Sequence, residues 1–469
     1  MSRYLYGASV QGIQEFIFKT NKLKEIVGAS EIVKAINSDF KDLFEDKKDV
    51  EILLNAAGNI KAIFEDEDRL KAFIVDFAKN IEQKAYGITL SQAVLSIGDS
   101  YTQDDIDELE KRLKTQRNKP SVPLDLSINL MKHNPSTAKP LVDADRDKAT
   151  KQKIEAYDIF LEKNPRLKEF KELKDISNTK NKIAVIHIDG NGLGALIPSL
   201  KEKYNLTLSE FSKKLDDATI RAFEDARDDT MSIRDIILGG DDVTLICSAD
   251  DALSFTKNFL DNFEKETSTI FKNKTKITAC AGIAFCNEKY PFHYAVSLAE
   301  ELCGVAKDHS KRESSALMFH NIQSSNFQSW EKFVEDELTI KSPAGKDEYK
   351  TIKCDFGAYY LNKEDEASIQ NLLNTVEAYR CDGSPISRLR NWLSELYKSD
   401  KNAKNLLHRI NQVMQEKDNW NCEIMNKNLK FFNKELSNDT LIVTKDKEEK
   451  TPIYDILQIL SVTSQQGAK

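Results

Sequence analysis

Ile183-Ala184-Val185-Ile186-His187-Ile188-Asp189-Gly190-Asn191-Gly192-Leu193-Gly194 decides the fold. Its first half is an almost unbroken apolar run, the pattern of a strand covered on both faces. His187 inside that run reads as a core histidine with its hydrogen bond satisfied. The run ends on an acidic, glycine-rich turn from which a helix starts. Some 50 residues later, Ile236-Ile237-Leu238-Gly239-Gly240-Asp241-Asp242-Val243-Thr244-Leu245-Ile246-Cys247 reads as a hairpin with Gly-Gly-Asp-Asp at its tip. In a βαββ arrangement the end of the first strand lies beside that tip, so Asp189, Asp241 and Asp242 are expected to converge. Three clustered carboxylates repel one another unless a cation stands between them, and hard oxygen ligands suit Mg2+ or Mn2+. Two such ions about 3.5–4 Å apart can activate an attacking hydroxyl and stabilise a pyrophosphate leaving group. Gly190, Gly192 and Gly194 let backbone N–H groups approach a triphosphate, and Gly239 and Gly240 keep the hairpin tip narrow. A dinucleotide-binding turn is the other reading of such glycines. It fails because Asp189 would face a bare pyrophosphate and the Gly-x-Gly-x-x-Gly spacing is not met.

Working outward, a helix through Leu253, Phe255 and Phe259, a strand over 277–285 and a helix carrying Ala295, Leu298, Leu302 and Val305 follow the hairpin. Lys307 falls in that last helix, where a lysine can reach a β- or γ-phosphate as a point charge. Upstream, Thr207 and Glu210 form a capping box, and Pro198 interrupts the short helix after Gly190. The same order of elements occurs between Tyr4 and Ile97: a strand, a long helix through Ile13, Phe16, Ile17, Leu23, Ile26 and Val27, a hairpin over 51–64, a helix over 66–84 and a strand near 88–95. Ile52-Leu53-Leu54-Asn55-Ala56-Ala57-Gly58-Asn59-Ile60 corresponds to the Gly-Gly-Asp-Asp hairpin without its carboxylates. The chain therefore reads as a duplicated βαββαβ unit, acidic only in its second copy. Gly7-Ala8-Ser9-Val10-Gln11 is taken to open the long helix of the first copy and is a candidate contact for a second nucleotide.

The expected fold class is α/β (α+β). Residues 1–104 form a degenerate first domain, 105–181 a basic helical linker with a breaker at Lys119-Pro120-Ser121-Val122-Pro123, 182–325 the acidic second domain and 326–469 a helical C-terminal domain. In the last, Ile369, Leu372, Leu373 and Val376 share one helical face, as do Ile386, Leu389, Leu393 and Leu396. Ser384-Pro385 supplies an N-cap and a first-turn proline there. Trp330, Trp392 and Trp420 read as core anchors. The formal charge of −8 over 469 residues excludes a generally basic nucleic-acid binder. Seven scattered cysteines with no Cys-x-x-Cys pair argue against a disulfide framework and a structural zinc site, and for reduced thiols. With no signal-peptide pattern and no long apolar run, a cytoplasmic protein without membrane association is expected.

The chain resembles the large polymerase/cyclase subunit family of type III CRISPR effector complexes. The resemblance rests on Tyr6-Gly7-Ala8-Ser9-Val10-Gln11-Gly12-Ile13-Gln14-Glu15-Phe16-Ile17 with Gly28-Ala29-Ser30, on Ile188 to Gly194, on Gly239-Gly240-Asp241-Asp242, on Ala281-Gly282-Ile283-Ala284 and on Ala306-Lys307, in that order over residues 4–320. It implies two ferredoxin-like palm domains of the nucleotide cyclase and polymerase type, with ATP bound between them. Carried over, Asp189, Gly190, Asp241 and Asp242 hold the metals. Gly190, Asn191, Gly192, Leu193 and Gly194, with Gly239 and Gly240, hold the triphosphate, and Lys307 contacts it. Three departures stand out. Asn191 occupies the family's second acidic position, the chain begins at the first palm with no His-Asp nuclease domain before it, and the cysteine-based zinc insertion is absent.

The reading is a nucleotidyltransferase that makes a cyclic or short oligoadenylate messenger in antiviral defence. RNA, effector-complex subunits and a second copy of the chain are its candidate partners. Its rivals are a non-catalytic palm scaffold of an RNA-guided complex and a cyclic di- or mononucleotide cyclase.

Overall fold

The computed structural model describes residues 3–44, 49–56, 58–119, 128, 130–164, 170–323, 329–343, 349–381, 383–415, 422–445 and 447–464. Two compact units form: residues 1–175 with 195–217 and 291–293, and residues 176–194 with 218–290 and 294–469.

The first unit opens with β1 (Arg3–Gln11), α1 (Ile13–Phe18), α2 (Leu23–Phe44), β2 (Val50–Ala56), β3 (Asn59–Phe64), α3 (Glu67–Lys84) and β4 (Thr89–Ile97), and its sheet has the order β2-β3-β1-β4. Alternate residues of β1 bury Leu5 on one face and Tyr6 on the other, where Phe64 and Phe73 meet the Tyr6 ring edge-on. Asp66 caps α3 by accepting from the Arg69 amide. Two expectations need correcting. The long helix is broken into α1 and α2, because Thr20 Oγ1 accepts from the Lys22 amide and so diverts the chain from helical bonding. Gly7 to Gln11 do not open a helix but complete β1, and Gly12, at φ +62°, makes the break before α1.

Next come α4 (Gln103–Arg117), with a Thr102/Asp105 capping box, α5 (Lys148–Lys163) and α6 (Leu173–Ile176). α5 lies so close to α2 that a Cβ on Gly28 would stand 1.7 Å from the carbonyl oxygen of Lys153. The basic excess over 105–181 is small: 17 Lys and Arg face 14 Asp and Glu, a net +3. Of the expected breaker, Pro120 to Pro123 lie outside the described residues.

β5 (Lys182–Gly190), α7 (Leu193–Leu196), a single 3-10 turn over Ile197–Ser199, α8 (Leu200–Tyr204) and α9 (Leu208–Ala226) follow. The Thr207–Glu210 capping box forms at the start of α9. Then come β6 (Ile233–Gly239), β7 (Asp242–Ser248), α10 (Ala252–Ile270), β8 (Ala279–Asn287), α11 (Phe292–His309) and β9 (Ala316–Asn321). Further on lie α12 (Trp330–Asp336), β10 (Thr339–Pro343), β11 (Tyr349–Lys353) and β12 (Tyr359–Tyr360). The second sheet has the order β12-β9-β8-β5-β7-β6, so its run β6-β7-β5-β8 repeats β2-β3-β1-β4 strand for strand. The duplication read from the sequence is present. The addition is β9, parallel to β8 after the α11 crossover, with β12 at its far edge.

α13 (Ile369–Tyr379), α14 (Ile386–Leu396), α15 (Asp400–Gln415), α16 (Cys422–Phe432), β13 (Val443–Lys445), β14 (Glu448–Lys450) and α17 (Ile453–Val462) complete the chain. The C-terminal segment, expected to be helical, also holds a four-stranded sheet of order β10-β11-β14-β13. Its strands are 3–5 residues long, too short for a period of two to register in the sequence. Pro385 stands at the N-cap of α14 rather than within its first turn. Trp330 and Trp392 are buried as expected, and Trp420 lies outside the described residues. Cys247, Cys280, Cys286, Cys303 and Cys354 are buried free thiols, and Cys381 is an exposed one. Among the described residues no helix is long and apolar enough to cross a membrane.

Candidate active site

The site forms because β5 is the centre of its sheet. It pairs antiparallel with β7, placing Asp189 opposite Asp242, and with β8, placing Asp189 opposite Cys280. The hairpin closes on the Gly239–Asp242 pair, with Gly240 at φ +62°. The amide of Gly190 donates to the carbonyl of Asp241 at 3.2 Å. A Cβ on Gly190 would lie 2.9 Å from that of Asp241, so only glycine lets the two turns approach this closely. The structure thus brings Asp189, Gly190, Asp241 and Asp242 together.

Crowding of the carboxylates shifts their titration. Burial pushes the Asp242 carboxyl up to about 7, assisted by the charges of Asp189, Asp241 and Glu300 and opposed by Lys307. Burial also pushes Asp241 up to about 6, with the charge and hydrogen bond of Asp189 acting in the same direction. His187 is buried as expected, with Nδ1 3.0 Å from Thr244 Oγ1. Burial lowers its pKa to about 4, so the ring is neutral, and Nδ1 stands 3.5 Å from Asp242 Oδ1.

Lys307 is buried, and its ammonium donates to Asp189 Oδ2 and, at 2.9 Å, to the carbonyl of Gly190. Asn191 turns inward: its amide donates to the Thr278 carbonyl at 2.8 Å, and Nδ2 to Thr278 Oγ1 at 2.9 Å. Gly192 adopts φ +74°, and neither it nor Gly194 has an atom within 4 Å of an added Cβ, so the turn is open above them. The helix begun by Leu193 has only four residues, a weaker dipole than the sequence suggested.

Sequence reading missed Thr219, Thr278 and Glu300. Thr219 Oγ1, fully buried on α9, donates to the Gly240 carbonyl at 2.5 Å and pins the hairpin tip. No sequence signal marks it. Glu300 lies two helical turns before Lys307 on α11, a spacing that does place both on one face.

The donor set suits a divalent cation. It consists of hard oxygens, and the side-chain oxygens Oδ1 of Asp242 and Oδ1 of Asn191 are buried with no hydrogen-bond donor. Among the described residues, no three His, Cys, Asp or Glu side chains are already gathered as a ready-made cation cage.

The first unit repeats this geometry without the carboxylates. Ser9 stands opposite Asn59 on β1 and β3, as Asp189 does opposite Asp242. Arg117, at the end of the helix after β4, donates to Ser9 Oγ at 3.0 Å, as Lys307 does to Asp189.

Residues 182–316 match the second palm domain of Cas10/Cmr2. The four strands β5 to β8 and both acidic turns fall within that match. Over the whole chain, the fold is similar to that of Csm1 in several crystal structures. In the Csm1–Csm4 cassette in complex with AMPPNP, identity is 13%, with a TM-score of 0.56 over 98% of this chain and 69% of that one. For the cassette in complex with pppApA the values are 14%, 0.56, 99% and 70%. For Csm1 of T. onnurineus they are 15%, 0.53, 98% and 70%. No curated protein sequence matches the chain.

Proposed function

We propose that the chain is a metal-dependent nucleotidyltransferase that joins ATP molecules into a cyclic or short oligoadenylate for antiviral signalling, in a type III CRISPR-like complex. One observation carries this reading: Asp189 faces Asp242 across the palm ladder, with Asp241 beside them. Two crystal structures of similar fold hold AMPPNP and pppApA, which supports adenylate as the substrate class.

A 3′-hydroxyl attacks the α-phosphorus of a neighbouring ATP. The new bond is 3′-O–P, the α–β phosphoanhydride breaks, pyrophosphate leaves with the electron pair, and the hydroxyl proton is released to water. Asp189, Asp241, Asp242 and the Gly190 carbonyl would hold Mg2+ or Mn2+, which supplies Lewis-acid stabilisation of the developing charge. The chain's own residues do the positioning. The open turn from Gly190 through Asn191, Gly192 and Leu193 to Gly194, with Gly239 and Gly240, leaves room for a triphosphate. Lys307 supplies a positive charge to it. Neutral His187 lies against Asp242, its Nδ1 3.5 Å from Oδ1. The Csm1–Csm4 assemblies of similar fold support a Csm4-like subunit as a partner.

The test is incubation of the purified chain with ATP and Mg2+ or Mn2+, with products read by mass spectrometry. A 3′–5′ linked oligoadenylate is expected. Equal product from the Asp241→Ala, Asp242→Ala double variant would overturn the assignment of the site.

A further inference from the structure

The site already contains a cation. The ammonium of Lys307 bonds to Asp189 Oδ2 and to the carbonyl oxygen of Gly190, the same two groups assigned above to the metal. This placement follows from the fold. A Cβ on Gly282 of β8 would stand 1.9 Å from the carbonyl oxygen of Ala299 and 2.5 Å from the amide of Cys303, so glycine there lets the α11 backbone rest directly on the sheet. Lys307, about one turn further along α11, is thereby aimed at the end of β5. The first unit delivers Arg117 to Ser9 from the corresponding helix. A cation at this place is thus built into the repeated topology, whether or not carboxylates are present.

A lysine ammonium and a divalent ion cannot both sit on the same oxygens without strong repulsion at low dielectric. We infer that Lys307 is a tethered occupant of the Asp189–Gly190 cation seat, and that Mg2+ or Mn2+ enters by displacing its ammonium, which then takes a phosphate of the nucleotide. Until then the ammonium of Lys307 offsets part of the charge of Asp189, Asp241 and Asp242. Metal and nucleotide then strengthen each other's binding, because the nucleotide offers Lys307 a new partner, and the linkage is equal in both directions. This inference rests on the metal-dependent reading.

The test is a titration of the full chain with Mn2+, following free Mn2+ by electron paramagnetic resonance without nucleotide. Lys307→Met should bind Mn2+ roughly 10-fold tighter than the unaltered protein, within the usual range of site-to-site coupling. Asp189→Asn in the same background should remove the gain. Binding by Lys307→Met that is no tighter overturns the exchange and leaves the metal site standing. No Mn2+ binding by either protein, with or without AMPPNP, overturns the metal-dependent reading as well. A second measurement uses the unaltered protein: acetylation of Lys307 by an amine-directed reagent, quantified by peptide mass spectrometry. Labelling should rise several-fold on adding Mg2+, and unchanged labelling counts against the exchange.

Discussion

Asp189 and Asp242 are direct register partners on the antiparallel ladder of β5 and β7, and Lys307 holds the first while His187 stands beside the second. Two acids from separate motifs thus share one polar site, each with its own neighbour.

Crowding these acids costs stability, since both Asp241 and Asp242 titrate well above an ordinary aspartate. Removing charge from a functional site commonly raises stability while activity is lost. The Asp241→Ala, Asp242→Ala double variant should therefore lose at least about 100-fold in product formation, the scale of losing a transition-state charge contact. Its thermal midpoint in metal-free buffer should be equal to or above that of the parent. A drop of many degrees would show that the acids serve the fold.

Thr219 anchors the hairpin tip through one buried hydrogen bond to Gly240. Thr219→Val keeps the shape and removes that hydrogen bond, at a cost of about 1 kcal/mol. Thr219→Ser should restore both stability and product formation. If valine and serine behave alike in denaturant titration and in ATP turnover, the hydroxyl does not position the turn.

Gly282→Ala inserts a methyl group where backbone atoms of α11 stand 1.9 and 2.5 Å away. The helix must move, costing roughly 1–3 kcal/mol or more. Because α11 carries Lys307, turnover should fall more than the loss of folded protein explains. A variant with unchanged thermal midpoint would contradict the close approach.

Asp455 on α17 is buried, accepts from Tyr359 Oη at 2.7 Å and from Gln458 Nε2 at 3.0 Å, and is pushed up to about 8 chiefly by burial. The folded protein then keeps a proton that the unfolded chain releases near pH 4. Between about pH 4 and 8 the folded state binds more protons, so this group's contribution makes stability fall as pH rises. Thermal midpoints from pH 5 to 9 should decline less steeply for Asp455→Asn than for the parent. Parallel curves for the two proteins would rule this account out.

The apolar run into Asp189, the hairpin tip and the duplicated order were legible because each depends on neighbours a few residues apart. Turn chemistry at Gly240 and strand burial over 183–188 are local properties of the chain. The break after Phe18 was not legible, because apolar spacing continues across Thr20, whose side-chain bond interrupts the helix. The small C-terminal sheet escaped for another reason: its short strands depend on partners distant in sequence, and β11 pairs with β14 across about a hundred residues.

By itself the sequence determined that two acidic turns end adjacent strands of a repeated βαββαβ unit, since hydrophobic periodicity and glycine turns permit few other arrangements. Only the tertiary structure decided which cation meets which acid. Lys307 reaches Asp189 because Gly282 lets α11 settle on β8, and Arg117 reaches Ser9 in the first unit. Such contacts depend on register and on the close approach of backbones, quantities that no window of local sequence contains.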